Sequence, residues 1–315
     1  MPHETPRRVR GKLLVLLLCA AGAQAQGRHF SPAAPPPDRP QFRAAANLIL
    51  VPVTVTDARG TAIQGLGADN FTVIDDRQPQ PIVTFYSDDT AVSVGIVLDV
   101  SGSTAGILAR EKAAVRAFVD HSNSEDDYFL ATVSSDPHVL ADRIDDPREI
   151  DRLLLWQKAG GGTALCDTVY FALHHARSRP QPRRALLVIS DGMDNHSRYS
   201  RQELMREVEE GDTQIYTIAL VPSGAGAKGL TGAEAMAGLA FMQDLAERSG
   251  GMSVRLGANE NPAAAAARVS AAVRNQYVLG YRSPDSGRSE RWHRIQIKVN
   301  LREARVYART GYQLR

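Results

Sequence analysis

The chain has 315 residues, 43% of them hydrophobic and 23% charged, with a formal net charge of +2. This composition excludes a disordered or fibrous chain, and the length accommodates about two domains. Near-neutrality, with no basic stripe and no recognition motif, argues against nucleic acid as a partner.

Arg7, Arg8, Arg10 and Lys12 precede the apolar run from Leu13 to Ala21, and Ala23-Gln24-Ala25 then supplies a small-x-small cleavage site. Residues 1–25 therefore read as a secretory signal peptide, so the expectation is export, to the periplasm or the exterior. The run is too short to span a bilayer, and no later stretch reaches the apolar length of a transmembrane helix. Cys19 falls inside the signal and follows Leu18, not the small residue of a lipoprotein signal. Removing the signal leaves only Cys166, which rules out an intramolecular disulfide; its apolar neighbours predict a buried, inert thiol.

Residues 26–43 are Pro-rich, a composition that favours an extended linker. Residues 44–90 read as a β-rich module: Leu48 to Thr56 is apolar and β-branched, Asp57-Ala58-Arg59-Gly60 is a turn, and Phe71 to Ile74 and Ile82 to Tyr86 are short strands. At Val94-Gly95-Ile96-Val97-Leu98 the pattern changes to a continuous apolar run, the signature of a strand buried on both faces. Leu108, Val115, Phe118 and Val119 follow at near-helical spacing. The alternation continues through a strand at Tyr128 to Val133, a helical face at Leu165, Val169, Ala172, Leu173 and Ala176, and a second apolar strand at Ala185 to Ile189. Beyond these come a helix at Arg201 to Glu210, a strand at Ile215 to Leu220, a helix at Leu239 to Arg248, and an Ala-rich helix opened by Pro262. Residues 91–275 are thus predicted to form an α/β domain with a doubly wound, mostly parallel sheet, whose ligands bind at the carboxyl ends of the strands. Residues 276–315 return to β periodicity and are candidates to pair with the N-terminal module.

Three candidate loops fall at one edge of that sheet. The first apolar strand ends in Asp99-Val100-Ser101-Gly102-Ser103 and the second in Ser190-Asp191-Gly192, while Gly160-Gly161-Gly162-Thr163 leads into a helix between them. If the two strands are neighbours, Asp99, Ser101, Ser103, Thr163 and Asp191 converge. Carboxylates and hydroxyls are hard oxygen donors, suited to one divalent cation, Mg²⁺ first and Mn²⁺ or Ca²⁺ as alternatives. An ion with few anionic ligands stays electron-poor and accepts an outside carboxylate. Asp194, Asn195 and His196 read as a solvated loop, and the tandem His174-His175 as helix surface, because adjacent helical residues point in different directions.

The pattern Asp99-x-Ser101-x-Ser103, with Thr163 and Asp191 on later loops, resembles the metal-ion-dependent adhesion site of von Willebrand factor A domains. The resemblance spans residues 91–275, and Gln276-Tyr277-Val278-Leu279-Gly280-Tyr281 is similar to an exported bacterial group of such proteins. It implies that Asp99, Ser101, Ser103 and Thr163 contact or approach the ion, that Asp191 often acts through water, and that an acidic side chain of a partner protein completes the shell. Two other classes compete with this adhesion-type reading. A Mg²⁺-dependent phosphatase of the haloacid dehalogenase type needs a second Asp two residues after the first, where this chain has Ser101. A Ser hydrolase needs a Gly-x-Ser-x-Gly elbow, which neither Ser101 nor Ser190 sits in. A structural envelope scaffold with a silent metal site is the third alternative.

Overall fold

The computed structural model describes residues 48–221, 231–284 and 291–313. The expected signal peptide and Pro-rich linker lie outside these residues. The described chain opens with β1 (Leu48–Thr56), β2 (Phe71–Asp75), β3 (Gln78–Gln80) and β4 (Ile82–Asp88). The α/β part follows as β5 (Val92–Asp99), α1 (Leu108–Asp120), β6 (Asp127–Val133), β7 (His138–Ile144), α2 (Pro147–Leu155), α3 (Leu165–Arg177) and β8 (Arg183–Ser190). It continues through α4 (Arg201–Glu210), β9 (Gln214–Leu220), α5 (Gly232–Ser249), β10 (Ser253–Leu256) and α6 (Pro262–Arg274). Four strands end the chain: β11 (Gln276–Arg282), β12 (Trp292–Val299), β13 (Arg305–Ala308) and β14 (Gly311–Gln313).

The central sheet has the order β10-β9-β8-β5-β6-β7 and is parallel except at β7. Every residue of β5 is buried, as its unbroken apolar run requires. Alternate residues serve the two faces. Val94, Ile96 and Leu98 join a core with Val115 and Phe118 of α1 and Val269 and Val273 of α6. Val97 joins a second core with Val169 and Leu173 of α3 and Met242 and Leu245 of α5. The chain winds outward from β5 through β6 and β7, then returns to place β8 on the other side of β5. The β5–β8 pair is therefore the topological switch point, where a doubly wound sheet opens a crevice between its strand ends. At the opposite end of the strands, buried Arg179 pairs with Asp127 at 2.6 Å, and the Ser93 hydroxyl donates to the same carboxylate.

The terminal segments do pair. β11 lies between β1 and β4, with β13 on the far side of β1, and a second small sheet runs β14-β12-β2-β3. Val51, Val53, Val55, Phe71, Val73, Leu279 and Ile295 from both small sheets share one apolar cluster.

Differences from the sequence expectation have local causes. The edge strand β7 is half-exposed and lacks apolar alternation. α5 begins at Gly232, seven residues before Leu239, because Thr231 and Glu234 form a capping box ahead of the apolar stretch. A similar box opens α4, where the Ser200 hydroxyl accepts from the Glu203 N–H and the Glu203 carboxylate accepts from the Ser200 N–H. Ser200→Ala is expected to cost about 1 kcal/mol, read as a lowered urea midpoint at unchanged m-value; an unaltered midpoint would deny the cap its role.

Candidate functional site

Asp99 is the last residue of β5 and is fully buried. Its Oδ1 accepts from the Ser101 N–H at 2.9 Å and its Oδ2 from the Ser190 hydroxyl at 2.6 Å. Because Ser190 ends the neighbouring strand β8, that second bond ties the two strand ends together. Gly102, Ser103 and Thr104 make one turn of 3₁₀ helix, held by the Thr104 hydroxyl on the carbonyls of Asp99 and Ser101. The Ser101 and Ser103 hydroxyls lie 3.0 Å apart.

The second loop is fastened to the first by backbone alone. Gly102 N–H donates to Gly161 O and Gly160 N–H donates to Val100 O. Gly161 has φ +80°, a left-handed conformation that glycine adopts without strain. Thr163 is buried, its N–H donating to Asn195 Oδ1, and its carbonyl accepts from the N–H groups of Asn195 and His196. Asp194 accepts from the Cys166 N–H at the start of α3. The segment that sequence reads as a solvated loop is thus the clamp on the Thr163 loop, even though Asn195 and His196 are exposed. Cys166 is buried, and burial raises its thiol pKa, as expected of an unreactive thiol. His174 and His175 point to separate partners, Glu207 and Asp142, as their adjacency on a helix demands.

Asp191 follows Ser190 and is also fully buried. Its Oδ1 accepts from the Met193 N–H, whereas its Oδ2 has no hydrogen-bond partner. Burial raises its pKa, offset in part by the Met193 N–H and the nearby Ser103 hydroxyl. Burial, and then the negative charge of Asp191, push Asp99 up to about 6. So all five expected residues lie on three loops interlocked by hydrogen bonds at the switch point. Two buried carboxylates repel each other there, and one oxygen lacks a donor. Buried charge is costly unless a counter-charge meets it, and an all-oxygen donor set fits a hard divalent cation.

A second cluster, absent from the sequence expectation, lies in the small sheets. Asp75, Asp76 and His293 bring ligand-type atoms within 4.8 Å of one another. Most of its charge is met internally: Asp75 Oδ2 accepts from the Tyr281 and Tyr312 hydroxyls, Asp76 Oδ2 pairs with Arg291 at 2.6 Å, and His293 Nδ1 lies 3.2 Å from the same oxygen and 3.6 Å from Asp75 Oδ1, which itself accepts no hydrogen bond. We read it as a structural polar network.

The fold and its switch-point loops define an α/β domain of the doubly wound class with a candidate cation site. Residues 94–193 match the family model of the von Willebrand factor type A domain. No curated protein matches the chain at significance. Among solved structures, the chain is similar to an aerotolerance-related membrane protein from Bacteroides fragilis, with 18% identity over 58% of this chain and 98% of that one at a TM-score of 0.46. It is also similar to a von Willebrand factor type A protein from Catenulispora acidiphila, with 11% identity over 85% of this chain and 74% of that one at a TM-score of 0.47. A third likeness is the vWF domain of the type V pili tip protein Mfa5 from Porphyromonas gingivalis, with 13% identity over 58% of this chain and 94% of that one at a TM-score of 0.45.

Proposed function

We propose that this chain is an exported protein-binding module. Its α/β domain, residues 91–275, holds one divalent cation, Mg²⁺ in preference, through Asp99, Ser101, Ser103, Thr163 and Asp191. The ion then takes an acidic side chain of a partner protein. The observation that carries this reading is the buried Asp191 Oδ2, without a donor, beside the equally buried Asp99. A cation supplies the missing counter-charge, and two carboxylates at most neutralise it, so the bound ion keeps affinity for one more anionic oxygen. Position 101, a serine hydroxyl in place of the second carboxylate of a phosphatase, speaks for binding over catalysis. The terminal β segments serve as an accessory module.

Mg²⁺ at about a hundred times its dissociation constant stabilises a protein by about 2.7 kcal/mol, which raises the melting temperature by several degrees in a domain of this size. Asp99→Ala is expected to abolish that rise. A wild type whose melting temperature ignores Mg²⁺, Mn²⁺ and Ca²⁺ alike would sink the cation reading. For the partner, proteins captured from the cell envelope in Mg²⁺ are expected to be released by chelator; identical capture in both buffers would count against adhesion through the ion.

A further inference from the structure

Helix α1 starts a few residues after the Asp99 loop and turns its apolar stripe, Leu108, Val115 and Phe118, into the core. Glu111 stands on that stripe, three residues after Leu108 and four before Val115, where an apolar side chain belongs. It is 0% exposed, and neither carboxylate oxygen has a hydrogen-bond partner. The adjacent basic residues are engaged elsewhere: Arg110 donates to the carbonyls of Gly257 and Glu260, and Lys112 to that of Gln157. A buried carboxylate that bonds to nothing has no structural use, and packing alone is better served by leucine or methionine. The charges felt by Glu111 are those of Asp99 and Asp191, both of the same sign.

We propose that Glu111 is the third carboxylate of the cation site, a positioning residue that acts on the ion from the α1 side. This rests on the reading of Asp99 and Asp191 as a cation site. Among the described residues, Glu111 does not join both aspartates in a group with ligand atoms all within 4.8 Å of one another. It therefore acts on the ion at longer range through the buried interior, not as a sixth direct neighbour. In the metal-free protein its ionised form is disfavoured by burial and by the two aspartates. With a divalent cation bound it becomes attractive, and it raises affinity for two positive charges more than for one, because the interaction scales with the charge of the ion.

The test compares wild type, Glu111→Gln and Glu111→Met by calorimetric titration with Mg²⁺ and by melting temperature in chelator and in saturating Mg²⁺. Groups that support metal ligands from behind typically change affinity by about 10–100-fold when removed, and a loss of that size is expected for either variant. The melting data carry a sign that a merely structural role does not produce. In chelator the variants are expected to be as stable as wild type or more so, and in Mg²⁺ less stable. A Mg²⁺ affinity unchanged in a folded variant while Asp99→Ala abolishes binding would overturn the role of Glu111 and leave the site standing. A wild type that binds no Mg²⁺ overturns both. Destabilisation of equal size in chelator and in Mg²⁺ would make Glu111 a packing residue.

Discussion

Gly192→Ala is expected to destabilise the protein by about 3 kcal/mol and to remove its response to divalent cations. Gly192 has φ +77°, and a Cβ there would lie 2.1 Å from the Gly238 carbonyl oxygen of α5. The left-handed backbone costs alanine about 1–2 kcal/mol, and the clash is with backbone, so no side-chain rotation relieves it. The contact is reciprocal, since a Cβ on Gly238 would lie 2.6 Å from the Asp191 carbonyl oxygen. α5 thus approaches the Asp191 loop backbone to backbone. Any retreat of the helix moves Gly192, whose N–H donates to the Ser190 hydroxyl that in turn bonds Asp99. A displaced Gly192 therefore disturbs both carboxylates at once. Gly160→Ala is the control: a Cβ there meets nothing within 4 Å, and stability is expected to change by less than about 0.5 kcal/mol. Urea unfolding of both variants, with and without Mg²⁺, decides the matter. Equal stability of the two variants would show that the loop tolerates movement of α5.

The loops of the candidate cation site were partly legible in the sequence because their framework was. β5 and β8 are apolar without interruption, and both end in a short acidic and hydroxyl-rich turn. That adjacency brings Asp191 to Asp99, and no pattern within either strand encodes it; only the alternation of strands and helices implied the winding. Ser190, Asp194 and Asn195 were illegible for a different reason. Each acts through a single side-chain bond to another loop, and such bonds leave no periodic trace. Glu111 did leave one. A carboxylate on the apolar stripe of α1 is a local conflict, and conflicts of that kind mark functional sites more often than defects. β7 and the first turns of α5 were illegible because their exposed residues carry no hydrophobic period.

The pH dependence of stability is expected to change sign with the cation. In chelator, Asp99 has a folded-state pKa raised from 3.8 to about 6, by burial first and by the Asp191 charge second. A raised carboxylate stabilises the fold while it is protonated. Its contribution is therefore complete below about pH 4 and is lost as the pH climbs through about 6. A carboxyl whose folded pKa lies one pH unit above its unfolded value contributes about 1.4 kcal/mol, so Asp99 alone accounts for about 3 kcal/mol across that window. Asp191 and Glu111 are raised by burial as well, so both act in the same direction, and Glu111, raised well above its ordinary value, carries the loss to higher pH. Exposed acids such as Asp146 and Glu203, whose pKa values are lowered by hydrogen bonds, act oppositely and only near their own low pKa values. Metal-free protein is thus expected to lose melting temperature as the pH rises from about 4 through about 6, and further above that as Glu111 ionises. In saturating Mg²⁺ the same carboxylates must be ionised to meet the ion, so binding releases protons and stability rises over that range. Asp99→Asn is expected to flatten the chelator profile and to remove the Mg²⁺ profile. Wild-type curves that run parallel in chelator and in Mg²⁺ would mean that the ion, if bound, does not sit among these three acids.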